Sequence, residues 1–288
     1  MSRFFCDSNS ELWFTRADEL GLDVIGMPYT LDDVEKDYDL GRNTDFDAFY
    51  NRIKKGGIAK TQALNVQNYL DYFEPVLKNG EDIIYVHFSN QMSGTFTYMK
   101  QAIEILKEKY PDRTIKYVDT LLISVGEALE VYDAAKMWKN GATDDEIIKY
   151  IEDYRQNYAV YFLVDDLGHL KRGGRLSTSS FVVGTILNIK PILKMNETGN
   201  IIKHGVASGT KKGIKEMANI VKNTGKDLDK HPIIIAYAQA EEYANELKRL
   251  LLEEISKDLE IWVQPIGPTV GTHCGPGSIG ITFYAEHR

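Results

Sequence analysis

The chain has 288 residues, is 43% hydrophobic and carries a net charge of -8. That is enough apolar material for one large buried core or two smaller ones, and the acidic balance argues against non-specific nucleic-acid binding. Cys6 and Cys274 lie far apart without CxxC spacing, so neither a disulfide framework nor a cysteine zinc site is expected.

The opening MSRFFCDSNSELWF has no signal-peptide core, and no apolar run reaches bilayer length. The expectation is a soluble cytoplasmic protein, monomeric by default. In chain order, Arg3–Cys6 and Asp23–Met27 read as short strands around a helix over Glu11–Leu20. Ile83–Phe88 is a strand feeding a helix over Gly94–Tyr110; Ile115–Val118 feeds one over Ser124–Trp138. Thr143 and Glu146 have capping-box spacing ahead of a stripe of Ile147, Tyr150, Ile151 and Tyr154. This alternation predicts a parallel sheet covered by helices.

From Tyr158 the texture changes. Tyr158–Val164 is a strand, and Lys171–Thr178 is a glycine-rich basic turn. Pro191–Met195 and Ile201–Val206 pair around Glu197–Asn200. A helix from Thr210, a strand over Ile233–Ala238, a helix over Glu241–Ile255, a strand over Leu259–Ile266 and a last strand over Gly280–Tyr284 follow. The fold class is therefore α/β with two domains. Residues 1–157 form an α/β/α domain with a parallel sheet, residues 158–288 an α+β domain with a mixed sheet, and a ligand is expected between them.

The stretch HFSNQMSGTFTYM (residues 87–99) places Ser89, Ser93, Thr95 and Thr97 where a strand turns into a helix, with Gly94 among them. The carboxyl ends of strands in open α/β sheets are where ligands bind, and first-turn N–H groups favour an anion. Hydroxyls would hold a carboxylate with neutral donors. Serine and threonine are equally the preferred N-caps, which need no ligand. Thr61, read ahead of a helical pattern, and Thr120 and Ser124, after a third strand, repeat the arrangement. His273 lies in a loop rich in glycine, Gly267–Gly280, where it is either structural or one donor to a carboxylate.

Other chemistries have less behind them. Ser93, His273 and Asp119 supply hydrolase residue types, but Asn90–Gln91–Met92–Ser93–Gly94 lacks the first glycine of a nucleophile elbow. There is no phosphate-binding G-x-x-x-x-G-K, no dinucleotide fingerprint and no HExxH; neither a cofactor nor a metal is expected. Arg172 and Arg175 flank two glycines in a turn suited to partner docking or to solvent.

Taken in order, CDSNSEL (6–12), KTQ (60–62), SNQMSGTF (89–96), VDT…SVG (118–126), KRGGRLS (171–177), IKPIL (189–193) and HCGPGSIG (273–280) resemble the DegV family of bacterial fatty-acid-binding proteins. The resemblance implies two α/β domains around a long-chain fatty acid, its tail in an apolar tunnel. It implies a carboxylate held by Thr61 and Ser93, with the His273 loop closing nearby; Gly94, Thr95, Ser124 and Gly275 complete the expected ligand-binding set. It implies a non-enzymatic carrier in phospholipid metabolism that presents its cargo to a separate fatty acid kinase for phosphorylation to acyl phosphate. Arg172 and Arg175 are the expected kinase-facing residues, and a transient contact with a membrane surface is compatible with that role. The chain departs from the family at Cys6, where a threonine is usual, at Gln62–Ala63–Leu64, where Ser-Gln-Pro often stands, and around His204, where an arginine would be expected.

Overall fold

A computed structural model describes residues 2–176 and 189–288; Ser177 and Thr178 of the basic turn lie outside them. The chain opens with β1 (Arg3–Asp7), a short 3-10 turn over Ser8–Ser10 and α1 (Phe14–Leu20), then β2 (Asp23–Ile25). The helix expected from Glu11 begins three residues later. Glu11 takes φ 56°, which turns the chain and ends the 3-10 segment. A segment with no sequence-based prediction follows: β3 (Pro28–Leu31), β4 (Val34–Asp37), α2 (Phe46–Lys54) and β5 (Ala59–Thr61). These strands form a small antiparallel sheet, β4-β3-β5. Every residue of β4 is exposed, so it lacks the alternation that announces a strand.

Next come α3 (Val66–Lys78), β6 (Ile83–His87), α4 (Thr95–Lys109), β7 (Ile115–Asp119), α5 (Val125–Lys139) and α6 (Asp144–Tyr154). The capping box at Thr143 and Glu146 forms as read. Strands β2-β1-β6-β7 make a wholly parallel four-stranded sheet.

The sheet changes at β8 (Tyr158–Leu163). After it come α7 (Leu167–Arg172), β9 (Ile189–Met195), β10 (Ile201–Ser208), α8 (Thr210–Thr224), β11 (Ile233–Tyr237), α9 (Glu241–Glu254), β12 (Ile261–Pro265), α10 (Pro268–Cys274) and β13 (Ile279–Tyr284). The second sheet runs β10-β9-β8-β13-β11-β12 and is mixed: only β11 and β12 pair in parallel. The predicted class, α/β with a parallel sheet and a separate mixed sheet, is what forms.

Helix α5 lies between the two sheets, packing on β1 from one side and on β8, β11 and β13 from the other. It is buried almost all round, as a helix without a solvent face must be. Gly126 lets it approach β8: a Cβ there would meet Val160 at 3.0 Å. One continuous core fills the space around this helix, and a second lies under α8 and α9 on the far face of the mixed sheet.

Candidate functional site

An apolar cavity of ≈ 190 Å³ opens between the sheets. Met27, Phe88, Met92 and Ile123 line it from one side; Val160, Phe162, Met195, Ile201 and Ile279 line it from the other. Thr61, Ser93, Gly94, Ser124 and His273 are all on its wall, as is Arg175.

Of the four serine and threonine hydroxyls in the 87–99 stretch, only Ser93 faces this space. Ser89 donates to the Gly199 carbonyl at 2.8 Å and thereby docks the β9–β10 hairpin. Thr95 is fully buried off the cavity, its Oγ1 2.9 Å from the Tyr69 hydroxyl and 3.2 Å from the Leu64 carbonyl. Thr97 is exposed. Ser93 Oγ accepts the Thr95 N–H at 3.2 Å. This local turn bond uses the oxygen and leaves its own proton for another acceptor.

The second hydroxyl arrives differently from the expectation. Thr61 ends strand β5, and helix α3 starts five residues on behind an Asn65 capping box. Thr61 Oγ1 lies 3.0 Å from His273 Nε2. His273 is on the last turn of helix α10 and not in a loop; Pro268 at the first position starts that helix. Burial, reinforced by the nearby Arg175 charge, pushes the imidazole down to about 4, so the ring is neutral near pH 7. Its Nδ1 is buried and has no hydrogen-bond partner among the described residues.

Arg175, expected on a partner-facing surface, is half-buried and turned inward. Its Nε donates to the Met92 carbonyl at 3.1 Å and its Nη1 to the Gly173 carbonyl. Burial lowers its pKa. Thr61 and His273 are thus bonded to each other, and Arg175, fixed to the carbonyl of Met92 next to Ser93, stands close enough to act on the His273 ring by its charge. Arg172 stays exposed. Gly275, expected in the ligand-binding set, is absent from the cavity wall; at φ 77° it packs on His169, whose ring a Cβ would meet at 2.5 Å.

Ser124 reaches the cavity but its hydroxyl meets the carboxyl of Glu11. Sequence reading missed Glu11. It is fully buried, and its Oε1 accepts the Gly267 N–H at 2.6 Å, while its carbonyl accepts from Gln264 at 2.6 Å. One residue therefore ties the end of β1 to the start of α5 and to the segment that launches α10. The signal was present in DSNS (residues 7–10), another run of small polar residues at a strand end, but Glu11 itself was read as the first residue of a helix. Burial raises Glu11 to about 8 and the neighbouring Asp7 to about 7.

A Ser–His–Asp triad does not assemble. His273 is bonded to Thr61, and the Asp119 carboxylate is occupied by the backbone N–H groups of Asn90 and Leu121 at 3.2 and 2.7 Å. Among the described residues no helix is long and apolar enough to cross a membrane, and no cluster of His, Cys, Asp and Glu could hold a metal ion.

Two sheets around an apolar cavity with one polar end define an α/β protein organised about an internal ligand-sized space. The family model described as an uncharacterised protein of the DegV family matches residues 3–286, and the chain belongs to that family. A DegV domain-containing protein of Clostridium perfringens is 33% identical over 99% of this chain and 97% of its own length. One of Streptococcus pyogenes is 32% identical over 98% and 97%. Among solved structures, a fatty-acid-binding DegV family protein of Streptococcus agalactiae is 25% identical with a TM-score of 0.84, covering 100% of this chain and 99% of that one. A Ruminococcus gnavus DegV family protein, solved with vaccenic acid, has a TM-score of 0.85 at 24% identity over 98% and 99%.

Proposed function

We propose that this protein binds a long-chain fatty acid between two domains, residues 1–157 and 158–288, and presents it to a separate fatty acid kinase that phosphorylates the carboxylate to an acyl phosphate. One observation carries the reading: an apolar cavity ends at Thr61, Ser93 and neutral His273, with Arg175 beside them. Fatty-acid binding by the Streptococcus agalactiae relative supports it.

Removing a methylene from water is worth roughly 0.8 kcal/mol, so the tail supplies most of the affinity. The Ser93 and Thr61 protons orient the head group. His273 Nε2–H donating to Thr61 Oγ1 would turn the threonine proton toward the carboxylate. Neutral donors leave the carboxylate able to attack a phosphorus atom, and exposed Arg172 is assigned in this proposal to the kinase contact. In this reading the protein is a non-enzymatic carrier in phospholipid metabolism. A cytoplasmic location fits its two free, buried cysteines.

Native mass spectrometry of the purified protein, followed by extraction of any bound lipid, tests the carrier reading. One fatty acid per chain, lost in Thr61→Ala/Ser93→Ala, is the expected result. A protein that is empty and ignores added fatty acids would sink it. Addition of a DegV-partner kinase and ATP tests presentation: acyl phosphate should accumulate only when both proteins are present.

A further inference from the structure

Most hydroxyls on the acyl cavity's wall already have partners. Thr61 meets His273, Ser93 accepts the Thr95 N–H, and Ser124 meets Glu11. Ser278 Oγ lies 2.9 Å from the carbonyls of both Cys274 and Gly275. Two wall residues differ. Asn9 and Thr269 line the same cavity and are only 8% and 4% exposed. Asn9 Oδ1 and Thr269 Oγ1 are buried and have no hydrogen-bond partner among the described residues.

The fold explains why each is left over. A threonine inside a helix can turn its hydroxyl back onto a carbonyl of the preceding turn, as Thr272 does onto Pro268 at 2.8 Å. Thr269 is the second residue of α10, so no helical turn precedes it. The Ile266 carbonyl three residues back is taken by the Tyr50 hydroxyl at 2.7 Å. Asn9 lies in the 3-10 turn after β1. Its N–H is bonded to Asp7 and its carbonyl accepts the Ser124 N–H at 2.9 Å, which leaves the side-chain oxygen over. Glu11 gathers the two segments: it follows Asn9 by two residues and accepts the N–H of Gly267, two residues before Thr269.

A buried oxygen left unpaired costs about 1–3 kcal/mol. A purely hydrocarbon tail returns none of this, and leucine and valine at these positions would suit it better. A hydroxyl on the tail returns both, because it donates to an amide oxygen and accepts from a threonine. Both wall groups are neutral and offer no countercharge to a second ionised group. Thr269 and His273 are four residues apart on α10, hence on one face and about 6 Å apart along its axis.

We infer that the cargo is a long-chain fatty acid hydroxylated on roughly its fourth to seventh carbon, the hydroxyl held between Asn9 and Thr269 one helical turn from the head group. The inference rests on the fatty-acid reading of the cavity and narrows its substrate class.

Competition titration of the full chain with hexadecanoic acid and its 5-hydroxy, 7-hydroxy and 12-hydroxy derivatives tests it. The better of the 5- and 7-hydroxy acids should bind roughly tenfold more tightly than hexadecanoic acid, the worth of two hydrogen bonds to groups otherwise unpaired. The 12-hydroxy acid should gain nothing, since its hydroxyl is moved away from the pair. In Asn9→Leu/Thr269→Val the gain should vanish, while hexadecanoic acid binds within about twofold of the wild type or more tightly; that binding also reports that the variant folds. The wild-type comparison stands even if the variant does not fold. A wild type that gains nothing from the 5- or 7-hydroxyl, or gains as much from the 12-hydroxyl, overturns the inference and assigns the two oxygens to bound water. So does a variant that keeps the gain. A wild type that binds none of these acids refutes the fatty-acid reading itself, whereas one that binds them all without preference refutes this inference alone.

Discussion

His273 shows what single residues contribute here. Its ring titrates near 4, whereas an unfolded chain takes up that proton near the ordinary value of about 6.5. As pH falls through that window the unfolded state binds the proton first, so native stability is lost between about 6.5 and 4, by at most roughly 3 kcal/mol. Asp7 and Glu11, both raised, act with the opposite sign over part of the same range. The difference between wild type and His273→Gln in urea denaturation isolates the ring: the variant should lose less stability on acidification. Equal slopes would mean that the ring is not held neutral. The neighbouring Gly173 is a second residue-scale test. A Cβ there would come within 2.1 Å of His273 Nδ1, a distance that moves the ring off Thr61. Gly173→Ala should therefore weaken fatty-acid binding by roughly tenfold, the worth of one hydrogen bond to a charged group, and shift the His273 ring resonances in NMR spectra. Unchanged resonances would show that the loop yields in place of the ring.

At the scale of elements, the position of α10 depends on Glu11. Its carboxyl receives the Gly267 N–H and meets the Ser124 hydroxyl, so it fixes the ends of two helices that carry cavity residues. Its protonated form persists to about pH 8 in the fold but only to the ordinary 4.5 in the unfolded chain. Between these values the native state binds more protons, and stability falls as pH rises through that window. Glu11→Gln should flatten this decline while the protein still folds. Glu11→Ala leaves the Gly267 N–H without its acceptor and should cost about 1–3 kcal/mol at pH 5. Thermal denaturation across pH 5–8 checks both; a wild type whose stability is level over that range would refute the assignment. The same residue shows where sequence reading stops. Strands β1, β6 and β8 and helices α4 and α5 were legible because apolar spacing is local. Thr61 and Ser93 were legible as hydroxyls at chain turns. That Thr61 would end a strand and meet a histidine 212 residues away, that Thr95 would turn from the cavity to Tyr69, and that Arg175 would fold inward all depend on tertiary approach, which no local pattern encodes. The β3–β5 sheet was missed because its strands are short and β4 has no buried face.

The whole molecule places the cavity where neither sheet could make it alone: its walls come from the β6–α4 connection and from the β7–α5 connection with the start of α5 on one side, and from β8, β9, β10, β11 and β13 on the other. The two halves are also tied outside the cavity, through Ser89 to the β9–β10 hairpin and through Arg288 Nη1 to the Leu121 carbonyl at 3.3 Å. A tail laid between two packed sheets gains affinity with each methylene until the space ends. Saturated fatty acids of increasing length should therefore bind with a gain of roughly fourfold per methylene, the equivalent of about 0.8 kcal/mol. Beyond the filled length the gain should stop or reverse, because well-packed walls resist overpacking. Competition titration across a length series gives the slope and the break. Since Met195 and Ile201 bound the cavity from the far sheet, Met195→Ala should move the break to longer chains without altering the slope below it. A series with no dependence on length would place the tail outside this cavity. A break that Met195→Ala leaves unmoved would place the tail's end against another wall.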